Sequence, residues 1–249
     1  MDMRTVDRKA LPVLALAAVL PALASRAAEP PAAGALHDIP PNVMTSGFLA
    51  GHPDLRFRKA GMEAERQGNP AAARDEYRRA AHYGDKPSQG RLGEMYWQGE
   101  GGGVDRVAGF LWMSLAAERG YTFFQERRMA YWKALTPAEQ AQARSRDQSM
   151  LSGYGDAVAK PRQAMAMLHA GARRSTGSLL GYGGQKLVIE LPGGGSVDAG
   201  TFYAPEFWQP DRYWQMQDRL WDGRSPGRVE VGEPEDLDSH AHPRADGRP

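Results

Sequence analysis

The chain has 249 residues, 31 of them basic and 30 acidic, and no cysteine. A formal net charge of +1 lacks the basic excess that binding to a phosphate backbone requires. The absence of cysteine excludes disulfides, thiol catalysis, cysteine-bound zinc and a lipid anchor on an amino-terminal cysteine.

The amino-terminal residues read as an address. Arg4, Arg8 and Lys9 precede the apolar run Ala10 to Ala24, which is shorter than the roughly 20 residues of a membrane span. Pro12 and Pro21 would interrupt a buried helix there. Small residues offer cleavage after Ala24 or after Ala27. Residues 1–27 are therefore expected to be a signal peptide, and the chain from Ala28 onward to be exported, to a periplasm or beyond. No other stretch is long and apolar enough to span a bilayer, so the mature chain is expected to have no transmembrane span. Residues 28–52, rich in Pro, Ala and Gly, read as a linker.

From residue 53 to 174 the pattern is helical. Asn69-Pro70 is an N-cap with proline at the first helical position, and Asp85-Lys86-Pro87 starts a second helix in a similar way. Gly84 and Gly120 stand where helices should stop. Thr136-Pro137-Ala138-Glu139 is a capping box. Connections this short make neighbouring helices antiparallel. The segment also repeats itself. Ala80, Ala81 and Gly84 recur as Ala116, Ala117 and Gly120. The 36-residue offset suits helix-turn-helix repeats, in which each pair buries its apolar face only by stacking on the next.

The stretch Leu92 to Gly120 resembles a Sel-one-like repeat, a relative of the tetratricopeptide repeats with a longer loop between its two helices. Leu92, Gly93, Tyr96, Gly99, Gly101, Asp105, Trp112, Ala116, Ala117 and Gly120 carry the resemblance. Gly109 departs from it, standing where the family has alanine. A helical glycine costs about 1 kcal/mol relative to alanine, so this helix is expected to be soft. The unit from Leu55 to Gly84 is more similar to an ordinary tetratricopeptide repeat, and Thr122 to Leu151 reads as a degenerate third pair. The resemblance implies a mainly α fold, a short right-handed α-solenoid of antiparallel helix pairs. It also implies an adaptor that binds an unidentified protein or peptide of the cell envelope.

Beyond residue 174 the chain changes in kind. Gln185 to Leu191 and Ser196 to Tyr203 flank a Pro-Gly-Gly-Gly turn and read as a β-hairpin. Tyr213, Trp214, Met216, Leu220 and Trp221 share one helical face and are expected to cap the open end of the solenoid, the alternative being a partner-binding helix. Residues 175–222 are thus expected to form a hairpin plus capping helix, and residues 223–249 to be a disordered tail.

Candidate chemistry is sparse. Gly181 to Lys186 has neither the spacing nor the strand-to-helix order of a phosphate loop. Asp238, His240 and His242 could hold a metal only weakly, having no neighbouring groups to orient them. His82 and His169 are isolated. Glu94, Glu100, Glu118 and Glu126 are carboxylates of the kind that solvated helix faces carry routinely. No catalytic residue, cofactor or metal is expected. Trp97, about 100° round the helix from Tyr96, either packs against the next repeat or faces a groove lined by the first helix of each pair, shared with Glu94, Arg127 and Tyr131. Two rival readings are a cell-wall or polysaccharide-binding module and a cell-wall or antibiotic hydrolase.

Overall fold

The computed structural model describes residues 39–174, 188–190 and 195–222. The expected signal peptide, the first part of the linker, Gly181 to Lys186 and the tail with Asp238, His240 and His242 lie outside them.

Two helix hairpins form the centre. Helix α2 (Pro53–Arg66) returns as α3 (Pro70–Ala81), and α4 (Lys86–Gln98) returns as α5 (Arg106–Ala116). Their ends follow the sequence signals. The side chains of Asn69, Asp85 and Asp105 accept hydrogen bonds from the backbone N–H groups of Ala72, Ser88 and Ala108. Gly99 ends α4 at φ +81°, a conformation that costs other residues a Cβ clash. Asp105 then opens α5. The loop between them docks on the preceding pair, because a Cβ at Gly101 would lie 2.4 Å from the Pro70 carbonyl oxygen.

Gly109 proves to be a packing residue. A Cβ there would lie 3.0 Å from the Gly93 carbonyl oxygen and 3.0 Å from the Trp97 nitrogen. A Cβ at Gly93 would in turn lie 3.1 Å from the Gly109 oxygen. The two backbones cross on this glycine pair, and the expected softness gives way to a close helix contact. Tyr77, Leu92, Met95, Trp112 and Leu115 pack around it.

The third pair does not close. Helix α6 (Thr122–Ala134) follows a tight turn that ends at Gly120, and α7 (Pro137–Tyr154) starts at the Thr136–Glu139 capping box. Yet α7 packs chiefly on α5, and α6 and α7 share little close packing. Leu135, 4% exposed, fixes the corner between them by packing with Val107, Leu111 and Ala143. The mean face of α7 is polar, so past that corner it has little to bury against α6.

Helix α8 (Asp156–Arg174) runs back along the turns between pairs. Ala159 sits beside Gly84, and Asp156 receives two hydrogen bonds from Arg119, at 2.7 and 2.9 Å. Lys86, 1% exposed, donates to the Leu115 carbonyl and to Glu118, and lies 3.0 Å from Asp156. Burial raises the Asp156 carboxyl, but the Arg119 and Lys86 cations outweigh it and hold the group well below the carboxylate range.

The remaining elements form a second core with the segment expected to be a linker. Ile39, Val43 and Phe48 are fully buried, and α1 (Ser46–Gly51) is capped by Thr45. This corrects the linker reading for residues 39–52: composition averaged over the window hid three anchoring apolar side chains. Strands β1 (Val188–Glu190) and β2 (Ser196–Asp198) pair antiparallel, with Ile189 opposite Val197. The second strand is shorter than expected, because Asp198 caps α9 (Ala199–Phe202) instead of extending the ladder. Helix α10 (Pro205–Trp208) follows.

Helix α11 (Pro210–Asp222) lies over α8 and the linking turns rather than on the far end of the stack. The Tyr213 hydroxyl donates to Asp54 of α2, the Tyr121 hydroxyl donates to Asp218, and Trp221 packs on Phe124 of α6 at 5.8 Å. The amphipathic helix therefore closes the edge where pair meets pair.

Candidate functional site

The four residues expected in a groove do converge, between α4 and α6. Trp97 and Tyr131 stack with ring centroids 3.9 Å apart and planes 11° apart. Glu94, 3% exposed, lies 2.6 Å from Arg127 and 3.5 Å from Arg91. Arg91 also lies 2.6 Å from Glu65 and 2.5 Å from Glu100, so three carboxylates from two pairs and their loop meet on one guanidinium. The Arg106 guanidinium stands 4.7 Å from the Trp97 ring centre.

Burial raises the Glu94 carboxyl, against the pull of Arg127 and Arg91. The Tyr131 hydroxyl is pushed up to about 12 by burial and then by the Glu94 charge. These groups satisfy one another: the charges are paired and the rings cover each other. Their arrangement fixes the angle of α6 against α4.

The resemblance-bearing residues sit in the fold. Leu92 and Trp112 are core, as are Ala116 and Ala117, while Gly93, Gly99, Gly101, Asp105 and Gly120 set approaches and turns. Tyr96 is half-buried, with the Arg74 guanidinium 4.1 Å from its ring centre and Arg78 donating to its hydroxyl at 2.9 Å.

The open site lies elsewhere, in the wedge left by the unclosed third pair. A cleft of about 560 Å³ is floored by Phe110 and Ser114 of α5. Arg128, Met129, Trp132 and Lys133 of α6 form one wall, and Ala143, Arg144 and Asp147 of α7 the other. Phe110 and Trp132 meet at 5.0 Å, and the Arg144 guanidinium stands 5.1 Å from the Trp132 ring centre. Met129 is 50% exposed. The Arg128 Nε is buried and has no hydrogen-bond partner, and Arg128 makes no ion pair among the described residues. The cleft thus offers apolar and aromatic walls, three cationic side chains and one carboxylate.

None of these cleft residues was singled out in the sequence. The signal was present as helical spacing: Arg128 with Trp132 and Met129 with Lys133 at i, i+4, Arg144 with Asp147 at i, i+3. Reading α6 and α7 as a packed pair left no space for a cleft.

Among the described residues no three His, Asp or Glu side chains are grouped so as to hold a metal ion. No described helix is long and apolar enough to cross a membrane.

No family model matches the chain, and no curated protein matches it. Among solved structures there is a partial likeness to a protective antigen of uropathogenic Escherichia coli that displays an SLR fold. The likeness has a TM-score of 0.36 and 25% identity. It covers 49% of this chain and 26% of the antigen, so the match spans about a quarter of that protein's length.

Proposed function

We propose that this chain is an exported helical-repeat adaptor of the bacterial envelope that binds a segment of a protein partner in the cleft between α5, α6 and α7. The observation that carries the reading is the cleft itself. Its volume lies in the range of sites that bury several side chains of a ligand, and its walls are apolar with a few convergent charges. Aromatic, Met and Arg side chains are the types that dominate interface energetics. Arg128 lines the cleft and makes no ion pair among the described residues, so a ligand carboxylate would find its guanidinium available. Export rests on the amino-terminal sequence, and the repeat character on the recurrence of Ala80, Ala81 and Gly84 as Ala116, Ala117 and Gly120. The Glu94–Arg127 pair and the Trp97–Tyr131 stack act in this reading by holding α6 at the angle that keeps the cleft open.

The test is capture from an envelope extract with the chain from Ala28, compared with a Met129→Glu, Trp132→Ala variant of unchanged circular dichroism. A protein retained by the native chain and lost by the variant is the expected result. Retention on purified cell-wall or polysaccharide material, with no protein partner, would overturn the adaptor reading.

A further inference from the structure

We infer that the cleft between α6 and α7 is occupied in cis by the acidic segment Val229 to Asp238 of this same chain, which regulates access to it. The regulatory consequence rests on the cleft being the partner site. The docking does not, and the two fail separately.

Three observations meet here. The first is charge. The cleft presents Arg128, Lys133 and Arg144 against the single carboxylate of Asp147. The segment Val229 to Asp238 carries five acidic residues (Glu230, Glu233, Glu235, Asp236 and Asp238) and no basic one. Opposite charges of this density steer and orient a docking segment. The second is apolar matching. The segment interleaves its carboxylates with Val229, Val231 and Leu237. Leu237 suits the apolar surface of Met129 and Trp132, and a flanking carboxylate suits the Arg128 guanidinium, which lines the cleft and makes no ion pair among the described residues.

The third is reach. Helix α11 ends at Asp222, and its Trp221 packs on Phe124, one turn before Arg128 on the same face of α6. Phe124 to Trp132 spans only about 12 Å along the helix. Leu237 lies fifteen positions beyond Asp222, and such a stretch extends to about 50 Å. The tether is ample, and it presents the segment to the cleft at an effective concentration of about 1 mM. An intrinsic affinity of about 0.1 mM would then leave the cleft mostly filled. A partner must displace the segment, so it binds the full chain more weakly than a chain with a neutral tail.

The absence of cysteine makes the test direct. Cysteines placed at Ser145, exposed on α7, and at Ser239 take two nitroxide labels, and pulsed dipolar spectroscopy reads their separation in the full chain. The expected result is a narrow, short distance. It should broaden in an Arg128→Glu, Arg144→Glu background, and equally when the five acids are replaced by Gln and Asn. A broad distribution that neither change alters would overturn the inference. So would a short distance that appears only between singly labelled chains mixed together, since that places the segment on a second copy. A synthetic peptide of residues 228–240 should also bind the neutral-tail chain at least tenfold more tightly than its Arg128→Glu counterpart. Equal binding would refute the assignment even if an envelope partner were captured at the cleft.

Discussion

Replacing Asp54 by Asn isolates one buried charge. Asp54 is 2% exposed at the start of α2, and its carboxyl is pushed up to about 7, first by burial and then by the neighbouring Asp85 charge. The Tyr213 hydroxyl bonded to it and the Arg58 cation lower it, but not by enough. Arg58 lies 2.8 Å from Asp85, which takes up much of its charge. Below pH 3.8, the ordinary value for this side chain, the carboxyl is protonated in both the folded and the unfolded chain. Between 3.8 and about 7 only the unfolded chain ionises there, so folding retains a proton and stability falls as pH rises. Above about 7 both states are ionised and this contribution is constant. At about 1.4 kcal/mol per pH unit, the window amounts to roughly 4 kcal/mol as an upper figure. Asn keeps an oxygen to accept from Tyr213 and removes the charge. It forfeits the favourable carboxylate near the helix start, about 0.5–1 kcal/mol. Near pH 8 the variant should therefore be more stable by about 2–3 kcal/mol, and near pH 4 about equal. His82, whose ring is lowered by burial and by Arg162, titrates with the opposite sign, so the difference between native chain and variant is the quantity to read. Urea unfolding of both at a series of pH values gives it. A difference that does not grow between pH 4 and 7, or a variant less stable than the native chain at pH 8, would refute the reasoning.

Other substitutions test the packing. Gly109→Ala should lower stability by about 1 kcal/mol despite its gain in helix propensity, because the added methyl meets the backbone of α4. Thermal melting checks this, and a stabilised variant would mean that the helices can part freely. Gly102→Pro should lower the melting temperature by several degrees. The ring removes the bond from Gly102 N–H to the Gly99 carbonyl and disfavours the φ +71° of Gly101. An unchanged melting temperature would count against this loop geometry. Glu94→Ala should cost about 2–3 kcal/mol by leaving Arg127 and Arg91 short of a partner in a half-buried site. If denaturant unfolding shows no loss, the Glu94 cluster does not hold α6.

Local signals were legible where the physics is local. The caps Asn69, Asp85 and Thr136 each mark a helix start, because a short side chain can satisfy a free backbone N–H only at that position. The recurrence of Ala and Gly gave two antiparallel hairpins, because small residues repeat where backbones approach. The convergence of Glu94, Trp97, Arg127 and Tyr131 followed from the same periodicity, although what they do together, pairing and stacking among themselves, did not.

Tertiary structure decided the rest. Gly109 reads as a weakness until the Gly93 carbonyl oxygen is seen only 3.0 Å from where a Cβ on Gly109 would stand. Residues 39–52 read as a linker until the aromatic side chains of α9 and α10, some 150 residues away, close over Phe48. The cleft exists because α7 chooses α5 over α6, a competition between distant surfaces that no window of sequence contains. Helix starts, turns and repeats are set by neighbours in the chain, and so the sequence alone determines them. Which faces meet, and which space stays open, depends on side chains far apart in sequence that only the folded chain brings together.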